Sequence, residues 1–389
     1  MNLAVRNRRE LAQHLQDQMV AARMAWSPAL ETDEEGHART SVKTYLIEAH
    51  RLAAESPSAV ELLRQITAPL GMSVDETEDS DLFRLRNEAH DFWCDTSMGR
   101  YWRLHTTAKV EDADIVHRKL VGATPLLDNV WLPPTYLEAL ADRTGSAMQT
   151  FSLNHDRRAL TSDLDLAFVA LRLWASHAAR TLQKLREAQL FPHGVSLRSV
   201  KLRAGDTEPD GDFCIAEYFH NGKVTANGTS FDEHNRVLLQ VLRDYGRIVE
   251  RIEHRYAIDV SCDENGCGHL MGDPIVIDMD WTMSNLEHVV GRMFSATEPF
   301  RLWGVPERIA GNHFRARAVD LHVGSTLTFD ITDKHIVIQL RAGTCGNTIV
   351  RFLGGLHYHV NSDVGIDLLT WNHDGDPPGS AQRRPCAAL

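Results

Sequence analysis

Long apolar runs are missing from this sequence. None approaches the ~18 residues that a membrane-spanning helix needs. The closest, LDLAFVALRLWASHAA, is broken by Asp165 and Arg172 and has the pattern of an amphipathic core helix. The opening residues, MNLAVRNRRELAQHLQDQ, are charged from Arg6 onward and lack the apolar centre of a secretory signal. Six cysteines without such a signal predict a cytoplasmic protein with free thiols.

An excess of basic charge is missing too. Lys and Arg total 41 against 53 Asp and Glu, a formal net charge of −12. A whole-chain field for nucleic acid is therefore absent. Arg157 with Arg158, and Lys201 with Arg203, are the local exceptions and have the composition of solvated surface. Phosphate-binding Gly-x4-Gly-Lys-Ser/Thr, Gly-x-Gly-x-x-Gly after a strand, Gly-x-Ser-x-Gly and His-Glu-x-x-His do not occur. Nucleotide-driven and common hydrolase chemistries thus have no local support.

What is present is the composition of a folded protein: 43% hydrophobic and 24% charged residues. At 389 residues, two or three domains of roughly 100–200 residues each are expected. Leu11, Leu15, Met19, Ala22 and Trp26 recur at helical spacing over residues 3–26. Helices are also expected over 41–55, 58–68, 110–121, 162–190 and 285–294, and a long one from Ser230, which with Glu233 has capping-box spacing. Strands are expected at YWRLHTTA, QTFSLNHD, VSLRSVKLR, FCIAEYFH and IVIDMDW, then at FRARAVDLHV, STLTFDI, HIVIQLR and through NTIVRFLGGLHYHV. Asn221-Gly222 between two strand-forming runs predicts a hairpin with a type I′ turn.

The pattern predicts an α+β fold. It comprises a helical N-terminal segment over 1–75, a mixed module over 76–260 and a mainly antiparallel C-terminal module over 261–373, with a flexible tail from 374.

Candidate sites gather in the last third. If 343–363 is a strand, His357 and His359 share one face opposite Leu356, Tyr358 and Val360. Asp320 and His322 alternate together in AVDLHV, and His335 heads HIVIQLR. Neighbouring strands would then gather Asp320, His322, His357 and His359 as ligands for a divalent metal, with neutral imidazole and carboxylate as donors.

Four other features are weaker. Cys345 in GTCGNT suits a turn in which Gly343, Gly346 and Asn347 take positive φ. Cys262, Cys267 and His269 lack the second ligand pair of a structural zinc site. Asp278 and Asp280 alternate with Ile277, Met279 and Trp281, as a solvated face would. Asp212, Glu217 and Lys223 miss the Glu-x-Lys spacing of a nuclease hairpin.

Phe300, Arg301 and Trp303 in EPFRLWGVPE form a candidate protein-binding anchor. No catalytic set is complete. A soluble binding or scaffold protein is therefore the first expectation, with another protein or a second copy as partner and no cofactor. The alternative is a metal-dependent hydrolase or nuclease working from the Asp/His face.

Overall fold

The computed structural model describes residues 5–24, 42–50, 58–158, 168–175, 177–188, 195–208, 211–262, 268–279, 282–283, 285–362 and 364–365. Among these residues no helix is long and apolar enough to cross a membrane. The fold is α+β, with a helix at the N-terminus and two sheets.

Among the described residues the first sheet has eleven strands. From edge to edge they are Ser73–Glu76, Leu82–Arg86, Asp91–Met98, Tyr101–Thr106, Val42–Ala49, Lys223–Gly228, Phe213–Phe219, Ser196–Gly205, Ala147–Asp156 and Phe168–Trp174. The short strand Leu127–Asn129 also pairs with Val42–Ala49. Val42–Ala49, expected to be helical, lies mid-sheet with every residue buried. Its alternate side chains serve two cores: Val42 and Leu46 face the helices Arg8–Met24 and Phe231–Arg255, while Tyr45 and Ile47 face Ala59–Thr67 and Val110–Gly122. A strand covered on both faces has no polar alternation to reveal it. The break read at residue 75 falls within the paired strand Ser73–Glu76.

The second sheet runs Gly268–Met271, Ala257–Cys262, His335–Arg341, Thr326–Ile331, His313–Asp320 and Leu302–Ala310. Ile275–Met279 pairs with His335–Arg341 on part of its length. The pairing is antiparallel except between Ala257–Cys262 and His335–Arg341.

Residues 346–359, expected as a strand, form the helix Gly346–His359. It packs between the sheets, and nearly every residue on it is buried. Its Ile349, Phe352, Leu353 and Leu356 join one hydrophobic cluster with Leu153 and Leu197 of the first sheet and Phe329 and Ile338 of the second. The two sheets thus share a core across this helix and Phe231–Arg255.

Three local expectations differ as well. The stretch 162–190 contains the strand Phe168–Trp174 and the shorter helix Ala178–Glu187, while Ser162 and Asp165 lie outside the described residues. The 219–222 turn closes with a bond from Gly222 N to Phe219 O (3.0 Å) and places only Gly222 at positive φ, so it is not the type I′ turn. Gly222 is needed there, because a Cβ would lie 2.6 Å from the Val130 carbonyl oxygen. Helix Leu286–Met293 is capped by Asn285 at φ 52, whereas Ser284 lies outside the described residues.

Candidate metal centre

The end of strand Val42–Ala49 points a carboxylate into the protein. Glu48 shares its strand face with Leu46, the face that carries the shared core, and is fully buried. His50, two residues on, is also buried. Arg100 reaches the same place from the turn joining Asp91–Met98 to Tyr101–Thr106. Glu253 comes from the last turns of helix Phe231–Arg255, and His322 from the turn after His313–Asp320. Cys345 is the N-cap residue of helix Gly346–His359.

The N-terminus of that helix is pressed onto Phe231–Arg255. A Cβ on Gly346 would lie 2.6 Å from the Val249 carbonyl oxygen, so only glycine fits. The Gly346 N–H donates to Glu253 Oε1 at 2.8 Å. In GTCGNT only Gly343 takes positive φ; Gly346 serves close approach, and Asn347 is helical.

One ligand atom each from Glu48, His50 and Cys345 lie within 4.8 Å of one another. Glu48 Oε1 is 3.4 Å from His50 Nδ1 and 3.4 Å from Cys345 Sγ. A tetrahedral zinc ion with ordinary Zn–O, Zn–N and Zn–S bonds spaces such atoms about 3.4–3.6 Å apart. Sulfur, imidazole and carboxylate together suit zinc among the common divalent ions.

His322 Nε2 lies 2.6 Å from the other Glu48 oxygen, which fixes the carboxylate in place. His50 Nε2 and His322 Nδ1 are buried and have no partner among the described residues. Tyr101 Oη, nearby, is likewise unpartnered there.

Arg100 closes the site. Its Nε donates to Glu48 Oε1 (2.7 Å), and its Nη2 lies 3.1 Å from His50 Nδ1 and 3.2 Å from Cys345 Sγ. The same guanidinium pairs with both oxygens of Glu253, at 3.0 and 2.7 Å. Burial alone would raise the Glu48 pKa. Hydrogen bonds from His322 and His50, with the Arg100 charge, outweigh it and hold the carboxyl well below its usual range. Burial and the Glu48 charge push the Cys345 thiol up, against the opposing pull of Arg100.

A second buried charge cluster adjoins this one. Arg351 is paired with Asp128 and Asp320, all three fully buried. Thr348 Oγ1 donates to Asp320 Oδ2 at 2.5 Å, Asn347 Nδ2 to Asp128 Oδ2 at 3.2 Å, and Arg301 Nη1 to Asp128 Oδ1 at 3.1 Å. It joins the first sheet, the second sheet and the helix between them.

The residues singled out in the sequence separate. Asp320 and His322 border the buried clusters. His357 and His359 sit on a helix, not a strand face. His357 is twelve residues beyond Cys345 and hence about 18 Å along the axis. His357 Nε2 lies 3.3 Å from the Val364 carbonyl, and His359 Nδ1 lies 2.6 Å from that of Asp156. These four therefore do not meet as one set. Phe300 is buried against Phe352, Arg301 pairs with Asp128, and Trp303 is 56% exposed, so this trio also divides. Asp278 meets His335 on an exposed surface at 2.6 Å. Cys267 and Asp280 lie outside the described residues.

Glu48, His50, Arg100 and Glu253 were not foreseen. The available signal was Glu-x-His at alternate positions directly after the apolar run TYLI. Assigning that stretch to a helix hid it.

A family model described as MJECL33-like protein matches residues 1–372, which include every residue of this site. The chain belongs to that family. A Methanocaldococcus jannaschii relative, described as uncharacterized protein MJECL33, is 23% identical over 367 residues. The alignment covers 84% of this chain and 86% of the relative.

Proposed function

We propose that this member of the MJECL33-like family is a divalent-metal protein, with zinc held by Glu48, His50 and Cys345. Three ligand atoms within 4.8 Å of one another, with Glu48 Oε1 at zinc-compatible spacing from the other two, carry the reading. His322 would orient the Glu48 carboxylate, as hydrogen-bonded partners of metal ligands do. Formal charge agrees: two carboxylates, Glu48 and Glu253, face a single guanidinium. Three protein ligands are the number found in catalytic zinc sites, where the bound metal activates a water. A metal-dependent hydrolase is therefore the enzyme class that the donor set favours.

Elemental analysis of the full chain, purified with zinc in the buffer and then desalted, tests this. One zinc per chain is expected. His50→Ala and Cys345→Ser should lose it, and His357→Ala should keep it. Less than a tenth of an equivalent in both the wild type and Arg100→Gln would reject the reading.

A binding role draws on another observation. Trp303, Val305 and Ile309 are exposed at alternate positions of the edge strand Leu302–Ala310. Pro306 offers no N–H to a further strand, so the contact would be face to face with a second copy. Light scattering decides this: a dimer lost in Trp303→Ser supports it, and a monomeric wild type removes it.

A further inference from the structure

Arg100 makes contact with every proposed ligand of the centre. Its guanidinium donates to Glu48 Oε1 at 2.7 Å, and its Nη2 lies 3.1 Å from His50 Nδ1 and 3.2 Å from Cys345 Sγ. The atoms that would bind a cation are thus already in contact with one. A metal ion and a guanidinium cannot share them, and two cations about 4 Å apart repel strongly in a buried setting. Arg100 is also held by both oxygens of Glu253, through Nη1 and through the same Nη2.

The depth of the two partners differs. Glu48 is fully buried, His50 is 5% exposed and His322 0%. The Arg100 and Glu253 side chains are 23% and 22% exposed. The pair therefore stands between the ligands and solvent. Arg100 also follows Gly99, which has φ 64, at the tip of a hairpin.

Resting on the metal reading above, we infer that Arg100 is a displaceable internal cation. Without metal it fills the Glu48–His50–Cys345 triangle and neutralises Glu48. When metal enters, the guanidinium leaves the three ligand atoms and keeps its bidentate pairing with Glu253. The two states exchange one cation for another, and the Cys345 proton leaves to solvent as sulfur takes up the metal. The orphaned His50 Nε2 and His322 Nδ1 fit a site whose polar groups are not all satisfied with the arginine in place. Arg100 would thus weaken metal affinity and protect the apo site from collapse.

Zinc is titrated into the full chain against a chelating dye, and cobalt(II) against its thiolate charge-transfer absorption. Arg100→Gln should bind zinc at least tenfold more tightly than wild type. Arg100→Lys, which cannot fork across three atoms, should show the same direction. Glu253→Gln should weaken binding in the wild-type background and have little effect in the Arg100→Gln background, because its role runs through Arg100. Wild-type binding with unchanged or weaker affinity in both arginine variants overturns the exchange while leaving the metal site standing. Binding in the variants but not in the wild type supports the exchange. Failure of all three to bind rejects the metal site and this inference together.

Discussion

Glu48 and His322 are 274 residues apart in the chain, yet Glu48 Oε2 and His322 Nε2 are 2.6 Å apart in a fully buried contact. One comes from the central strand of the first sheet and the other from a turn of the second. Deleting one partner of a buried charged contact costs about 3–5 kcal/mol, because the other is left unsatisfied. His322→Ala should therefore lower unfolding stability by about 3 kcal/mol. His322→Gln should recover part of it, since its amide can donate where Nε2 does. Urea denaturation of both variants checks this, and equal losses would argue against the hydrogen bond as the cause.

Arg351 presents a harsher case. Its guanidinium lies between Asp128 and Asp320, and none of the three is exposed. Burial would raise the Asp320 pKa, but Arg351 overcomes this and holds it below the usual range. Arg351→Met takes the arginine from buried Asp320 and leaves Asp128 with Arg301 alone, and should cost about 3–5 kcal/mol. Adding Asp128→Asn and Asp320→Asn removes those charges and should restore more than half of the loss. Thermal unfolding of single and triple variants measures it.

The edges of the fold were easier to read than its centre. Ser230 accepts from the Glu233 N–H at the start of Phe231–Arg255, and Leu11, Leu15 and Met19 are buried on helix Arg8–Met24 as their spacing predicts, whereas Ala22 is exposed and Trp26 lies outside the described residues. Ile275, Ile277 and Met279 face inward with Asp278 outward, again as alternation requires. These elements have one dry and one wet face, so periodicity carries information. Val42–Ala49 and Gly346–His359 are buried on all sides and lose that signal. The β-branched Thr348, Ile349 and Val350 and the pair Gly354-Gly355 also have low helix propensity. In fact Gly355 lets Phe300 pack on the helix, because a Cβ would lie 2.8 Å from its ring. Glu48 and His50 close the first of these two elements, which hid them, whereas Asp320 and His322 lie on a readable strand and its turn; Glu253 lies on a readable helix but carries no pattern that marks it.

Phe300 and Trp303 illustrate how close sequence neighbours diverge. The Phe300 ring is buried beside Phe352 and Gly355, whereas Trp303 is largely exposed. Phe300→Ala should cost about 3–5 kcal/mol through the cavity it leaves. Trp303→Ser should stay within about 0.5 kcal/mol, as surface substitutions do. Urea midpoints separate the two, and a comparable loss at Trp303 would mean that its face is covered.

Acid should unfold the protein through its buried histidines. Burial pushes His105, His220 and His234 down to about 3 and His117 down to about 4. In the unfolded chain each titrates near 6.5. Above pH 7 these groups are uncharged in both states and contribute no pH dependence. As pH falls from 6.5 towards 4, the unfolded chain takes up protons that the folded protein refuses. Stability is then lost by about 1.4 kcal/mol per pH unit for each histidine, and the loss levels off below the folded values. His234 Nε2 lies 3.1 Å from Thr44 Oγ1, a contact a glutamine amide can reproduce. His234→Gln should therefore fold and reduce the slope of unfolding free energy between pH 6 and 4.5 by about 1.4 kcal/mol per unit. Urea melts across that range give the slope directly. An unchanged slope would mean that His234 accepts a proton in the folded state, despite the dry surroundings that helix Phe231–Arg255 and strand Val42–Ala49 provide.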